Sequence, residues 1–372
     1  MNKHRHGNNN QRGFSLMELM VAMALGLLVL GAAASMLKNA MNITVNLSER
    51  AEMQQNARAA VNAMARDLSL AATDLPAGGI QLPQSVVLQP RFGCTTGVCY
   101  LTNGANFFAG NRLYYIDPHT QDGAVVGTIT PDSLVVAYAD SSMVLGKVTL
   151  SPAGDLTGSQ ITVTVPPANI ASQKNGITPG DLIWLSNTNG SAVGVVTAFD
   201  GVDTISFAAG DPLNINQPPA QAGGLIGANV NGNITSNLGN SPLANPPVIP
   251  GATAGSGKIQ AQRIFLVTYF VAVDPATGRR LLERQVSAHP AIAIAENVEN
   301  LQVTYDTIDE TATPPVPVIN QNSPVASPNL IRKINIALTT RTALKVGGYA
   351  DYQRLTLATS VSPRNMSTTA IF

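Results

Sequence analysis

The sequence predicts an α+β fold: one long N-terminal α-helix packed on antiparallel β-sheet, with an enlarged β-rich globular body. Three observations carry that prediction. No proline falls between Phe14 and Pro76. An apolar run opens that stretch, and a stripe of apolar residues at helical spacing closes it. From residue 86 onward, short alternating or β-branched runs follow one another between turn residues.

The first element is the most informative. The chain reads RGFSLMELMVAMALGLLVLGAAASML from Arg12 to Leu37, and the 24 residues from Phe14 to Leu37 hold one ionisable side chain, Glu18. A helix of that length rises about 36 Å, enough to cross a bilayer. A charge at the centre of a membrane helix costs on the order of 2.5–3.5 kcal/mol, less near an interface, so an acid one turn into the segment points to function. Residues 1–13 form a leader holding Lys3, Arg5 and Arg12. An ordinary secretory signal is cut after its apolar run, whereas the processing point here, Gly13–Phe14, precedes it. Cutting there removes the basic residues and keeps the hydrophobic helix. The basic flank places residues 1–13 in the cytoplasm and the body beyond the membrane. Ser15-x-x-Glu18 is also a capping box, and an acid suits a helix N-terminus, so a plain membrane anchor would use the same residue.

Residues 38–75 continue the helix as an amphipathic segment. Met53, Ala57, Ala60, Val61, Met64 and Leu68 recur on one face, while Arg58, Arg66 and Asp67 fall off the stripe. The stripe predicts a helix lying on a globular domain, and an ordinary core helix would show the same pattern. Gly26 and Gly31 are its weak points.

Composition narrows the function classes. Net charge is zero, and removing the leader leaves 19 Lys+Arg against 22 Asp+Glu. That gives no basic footprint for nucleic acid. Charged residues make up only 12% of the chain, so a polar uncharged surface must keep the body soluble. The two cysteines, Cys94 and Cys99, lack C-x-x-C spacing and have no nearby histidine. In an oxidising compartment they predict a structural disulfide contributing about 2 kcal/mol. Only His119 and His289 outlast the leader, each beside a proline, which argues against a histidine metal cluster. Gly251–Ile259, GATAGSGKI, has five residues between its first glycine and Gly257 and an isoleucine after the lysine, so it fails as a phosphate loop, and strand follows it. Asp306, Asp309 and Glu310 could ligate calcium but more simply form a solvated loop. Trp184 is expected in the core. No cofactor and no enzymatic activity are expected.

The body divides on composition into a β-rich region at 76–208, a Gly/Pro/Asn-rich loop or linker at 209–258, and a C-terminal β-rich region at 259–372. Predicted strands are Arg112–Ile116, Ser133–Ala139, Met143–Leu150, Gln160–Val165, Asp181–Leu185, Val193–Phe199, Ile264–Val273, Leu282–Ser287, Leu301–Tyr305, Lys333–Thr340 and Arg354–Thr359. Thr311–Asn329 reads as a Pro-rich loop. DPATG, at Asp274–Gly278, predicts the turn of a hairpin. ENVENLQVTYD predicts a short helical turn that sends Val298 and Leu301 inward, then a strand exposing Gln302 and Thr304. Whether the body is one lobe or two stays open on sequence alone.

The register of Gly13, Phe14, Ser15, Leu16, Met17, Glu18 and Leu19 before an apolar stretch resembles the type IV prepilin signal. DSLVVAYA (132–139), GDLIWLSN (180–187), YFVAVDPATGRRLLERQ (269–285), IAENVENLQVTYD (294–306) and IRKINIALTTRT (331–342) resemble, in that order, the PilW family of large minor pilins. The resemblance implies a type IV pilin-like fold, cleavage after Gly13 by prepilin peptidase, and methylation of the Phe14 amine. It also implies that Glu18 pairs with that amine on a neighbouring subunit. The partners it implies are prepilin peptidase, other minor pilins, the major pilin and, as a further candidate, a tip adhesin. The protein would wait in the inner membrane as a single-pass chain with a periplasmic body, then initiate and cap the pilus. Two alternatives share much of this sequence: a large minor pseudopilin of a type II secretion system, and a membrane-anchored adhesin that never polymerises.

Overall fold

The computed structural model of the protein describes residues 15–75, 79–81, 112–118, 128–150, 160–187, 190–208, 210–213, 215–216, 259–322, 328–345, 351–363 and 365. Helix α1 spans Leu16–Ser69 without interruption, so it stops six residues short of the expected end at 75. Its last turn gives way to a tight turn in which Ala72 and Asp74 adopt positive φ angles of 64° and 54°. The chain there joins the sheet through its backbone: Ala72 N–H donates to Ala137 C=O at 3.0 Å, and Ala139 N–H to Thr73 C=O at 3.0 Å.

Sixteen strands follow among the described residues. They are β1 (Ile80–Gln81), β2 (Arg112–Leu113), β3 (Ile116–Pro118), β4 (Leu134–Leu150), β5 (Gln160–Val163), β6 (Leu182–Asn187), β7 (Gly190–Val195) and β8 (Ala198–Phe199). The remainder are β9 (Thr204–Ser206), β10 (Ile259–Val273), β11 (Arg280–Val286), β12 (Ile292–Glu296), β13 (Val298–Asp309), β14 (Val316–Gln321), β15 (Ile331–Arg341) and β16 (Arg354–Val361). Ten of them form one sheet, with β12-β11-β10-β4-β5-β9-β8 as its spine and β3, β6 and β7 attached; β14-β13-β15-β16 form a second. Every pairing is antiparallel.

The described chain forms two compact units. One holds α1 through Glu52 together with Thr342–Gln353; the other holds Met53–Arg341 and Arg354 onward. In the first unit, the Glu49 carboxylate accepts the N–H groups of Ala343 (2.9 Å) and Leu344 (3.3 Å). Arg50 Nε donates to the Gln353 side-chain carbonyl, and Lys345 Nζ stands 5.5 Å from the centre of the Tyr352 ring.

In the second unit, strand β10, which follows residues 209–258, pairs with β4 and β6, which precede them. The two β-rich regions therefore share one sheet rather than forming separate lobes. All six stripe residues of α1 are buried there. Ala60, Val61, Met64 and Leu68 join one core with Leu134, Leu266, Tyr269, Leu301 and Ile336. Fully burying a side chain such as Met64 or Leu68 contributes about 1.5–3 kcal/mol. A second cluster centred on Met143, Ile161, Ile183 and Phe207 fills the far end of the larger sheet.

Several expectations need correction. Residues 133–139 and 143–150 are one 17-residue strand, β4, with a bulge-like register shift where the chain bends against β10. Thr311–Asn329 is not all loop: it contains β14, whose Pro317 lies on an edge strand, where a missing N–H costs no ladder bond. ENVENLQ forms no helical turn. Asn297 takes a positive φ of 56° and Glu299 sits in a bulge of β13, yet Val298 and Leu301 point inward and Gln302 outward as expected. DPATG does close the β10–β11 hairpin: Gly278 has φ +67° and donates its N–H to Asp274 C=O at 2.8 Å.

Candidate functional site

The first candidate site is the start of α1. Ser15 N–H donates to Glu18 Oε2 at 3.0 Å, and Glu18 N–H donates back to Ser15 Oγ at 3.2 Å. This reciprocal pair is a capping box, and it satisfies backbone donors that the first helical turn leaves open. The Ser15 hydroxyl also donates to Oε2, at 3.2 Å. Both of Ser15's bonds therefore fall on one carboxylate oxygen; among the described residues nothing donates to Oε1. Gly13 and Phe14 lie outside the described residues, as do Cys94, Cys99, His119 and Gly251–Lys258.

Beyond this cap the helix is apolar and bare. Leu16 is 79% exposed, Leu28 71% and Met36 77%. It is the one described helix long and apolar enough to cross a membrane, and none of its most apolar 18-residue window is buried. Such a surface is far larger than soluble proteins leave open to water, so lipid or other apolar helices must cover it.

The second candidate site anchors the other end of α1. Asp67 is 5% exposed. Its Oδ1 accepts the Tyr138 hydroxyl at 3.0 Å, and its Oδ2 accepts the Tyr269 hydroxyl at 2.5 Å and Arg284 Nε at 2.9 Å. The three partners come from β4, β10 and β11, so one helical carboxylate ties down three adjacent strands. Burial, followed by the charge of Asp67, pushes both tyrosine phenols well above their ordinary range. Against the opposing effect of burial, Asp67 holds the Arg284 guanidinium above its ordinary value, so it remains charged. A groove of about 520 Å³ opens beside the network, also lined by Arg66, Ser141 and Phe265.

Sequence reading placed Asp67 off the buried stripe. The signal was present: Asp67 lies three residues after Met64 and seven after Ala60, on the same helical face. A polar residue at such a position signals a buried network, and the partners on three distant strands cannot be read from local pattern.

A further buried cluster was also missed. Arg263, 6% exposed, donates to Asp140 Oδ2 from Nε (2.9 Å) and Nη2 (2.6 Å), and to Gly176 C=O from Nη1 at 2.7 Å. Nη1 also reaches Asp181 Oδ2 at 3.4 Å, and His289 Nε2 lies 2.9 Å from Asp181 Oδ1. His289 is thus tied to an acid rather than free in a loop. Burial raises the Asp140 pKa, but bonds from Ser142 and Arg263 outweigh it and hold the carboxyl below its ordinary range. A folded-state value below the unfolded one means that this stabilisation is complete above about pH 4 and lost as pH falls through the folded value. Urea unfolding at pH 6 and pH 3 should therefore show wild type losing more stability on acidification than Asp140→Asn.

Asp306 and Asp309, from the acidic loop candidates, are held by hydrogen bonds from neighbouring residues. Asp306 accepts Asn320 N–H and Asn335 Nδ2 at 2.9 Å each and faces Lys333 Nζ at 3.5 Å. Asp309 accepts the Thr311 N–H and hydroxyl. Among the described residues, no three His, Cys, Asp or Glu side chains gather as a metal site. Trp184 packs against the main core, although its buried Nε1 finds no acceptor among the described residues.

Taken together, the geometry defines an α+β protein with one long, exposed apolar helix, an acid capping its first turn, and a large antiparallel body. Residues 8–34 match the family described as "Prokaryotic N-terminal methylation motif". That is a type IV pilin-like prepilin signal, of the kind that prepilin peptidase processes, and it spans Gly13, Phe14 and Glu18. No curated protein and no solved structure matches the chain.

Proposed function

We propose that this protein is a minor pilin of a type IV pilus, of the PilW kind, and that it performs no catalysis. Prepilin peptidase cuts between Gly13 and Phe14 and the new Phe14 amine is methylated. The mature chain is held in the inner membrane by its apolar helix until it joins other minor pilins and the major pilin. It helps to initiate the filament and remains at the tip, where a large body does not obstruct lateral packing. Cys94 and Cys99 pair as a disulfide in the periplasm.

The observation that carries this reading is the methylation motif in register with a helix whose first turn holds Glu18 and whose apolar surface is bare. A neighbouring subunit's Phe14 ammonium would approach the Glu18 carboxylate, offsetting the cost of placing an acid among apolar helices and rewarding one axial register. Mass spectrometry of the protein recovered from membranes or sheared filaments tests this. The expected N-terminal residue is methylated Phe14; a product that still begins at Met1 overturns the reading.

A further inference from the structure

The sheet edges differ in a way that singles out one strand. An open β-edge offers unpaired N–H and C=O groups to any extended chain, and proteins normally blunt it with short length, proline, charge, bulges or cover. Strand β14 carries Pro317, a register shift and the positive-φ Asn320. Strand β12 has five residues, a register shift and Glu296, which pairs with Arg279 at 2.8 Å. Strand β8 has two residues. The outer side of β7 is capped by the buried Asn216 side chain, which accepts Val195 N–H at 2.9 Å and donates to Val195 C=O at 2.7 Å.

Among the described residues, strand β16 carries only one of these devices, a charge at its first position. It runs eight residues, RLTLATSV, and pairs with β15 at every position from Arg354 to Val361 without a register shift. It contains no proline or glycine, and its one charge, Arg354, sits at its first position, 2.5 Å from Glu299. The direction of its free groups follows from the ladder. Arg341 N–H donates across to Asn297 on the β13 side, so the Arg341–Arg354 pair is a non-hydrogen-bonded one. By alternation, the backbone groups of Thr356, Ala358 and Ser360 face away from β15. No described backbone group pairs with them from that side.

We propose that β16 is a docking edge that accepts an extended strand from a neighbouring subunit of the filament, which continues the β14-β13-β15-β16 sheet. This rests on the pilin reading, because that reading supplies partners assembled beside this chain. The chemistry of the edge specifies the occupant. One face of β16 presents Thr356, Ala358 and Ser360, of which Thr356 already bonds Thr339 at 2.9 Å and Ser360 bonds Asn335 at 2.7 Å. The other presents Leu355, Leu357, Thr359 and Val361. The incoming strand is therefore one that alternates small or hydroxyl residues with mainly aliphatic ones and carries no charge over its central residues, since cross-strand pairs of like kind stabilise a ladder.

The test exploits the direction of one N–H. Ala358→Pro removes an outward donor and no bond to β15, a position where an edge strand tolerates proline. Thr356→Lys adds a blunting charge on the same edge. Each variant is expressed as the full chain in piliated cells. Processing is followed at Phe14, folding by thermal unfolding in detergent, and incorporation by quantifying the protein in sheared filaments. The expected result is normal processing and folding with incorporation lowered at least about tenfold in both variants. Hydrogen exchange at Ala358 and Ser360 should also slow in filaments relative to the detergent-solubilised protein. Incorporation unchanged in Thr356→Lys, or equal exchange in the two states, overturns the docking edge even where Phe14 is methylated. Failure of cleavage at Gly13 instead overturns the pilin reading, so the two failures are distinguishable.

Discussion

Replacing Glu18 with alanine is expected to leave cleavage at Gly13–Phe14 intact and to lower the amount of this protein in filaments by at least about tenfold. The cap geometry supplies a control that separates the two roles of this side chain. Glutamine at the third helical position sustains a capping box as glutamate does. Glu18→Gln therefore keeps the bonds to Ser15 but removes the charge that would face a neighbour's ammonium. If the charge matters for assembly, Glu18→Gln behaves like Glu18→Ala; if Glu18 only caps the helix, it behaves like wild type. The measurement is quantitative immunoblotting of sheared filaments against membrane fractions. Wild-type incorporation of Glu18→Ala would leave only the anchor reading, in which the apolar helix holds a β-rich body at the membrane.

The contrast between local and non-local information explains what the sequence disclosed. The helix was legible over all but its predicted last six residues because its signals are local: no proline, an apolar run, then Met53, Ala57, Ala60, Val61, Met64 and Leu68 at helical spacing. Twelve of the sixteen strands overlap segments read from alternating or β-branched runs, and the DPATG hairpin needed only turn chemistry. The misses have physical causes. Strand β14 is an edge with exposed side chains on both faces, so burial imposes no period of two on its sequence. Strands β9 and β12 are short and partnered by register rather than by pattern. Glu299 looked like a helix-favouring residue, but it lies in a bulge, where it gathers Arg280, Arg341 and Arg354 within 2.5–3.6 Å. A bulge of this kind re-aims one side chain, and nothing in ENVENLQ announces which arginines will arrive. Likewise, the prepilin register was visible in seven residues, whereas the edge position of β16 exists only once four strands are ordered.

The largest stability effect is expected at Asp67. Removing this carboxylate leaves the Tyr138 and Tyr269 hydroxyls and the Arg284 guanidinium without the acceptor around which they are arranged. Breaking one side of a buried ion pair costs about 3–5 kcal/mol. Asp67→Ala should therefore lower the melting temperature by about 6–20 °C, taking roughly 2–4 °C per kcal/mol. Tyr138→Phe deletes one donor and leaves the Arg284–Asp67 pair intact, so it should cost about 1 kcal/mol. Asp67→Asn should fall between the two, because the amide oxygen still accepts a hydroxyl hydrogen but carries no charge for Arg284. The order matters more than any single value. Stripe residues such as Met64 and Leu68 provide non-directional burial, which would tolerate α1 sliding or rotating on the sheet. The Asp67 bonds to β4, β10 and β11 fix one rotation and one axial position. Thermal unfolding of the detergent-solubilised chain and its three variants checks this. Equal melting temperatures for wild type and Asp67→Ala would mean that apolar packing alone seats the helix.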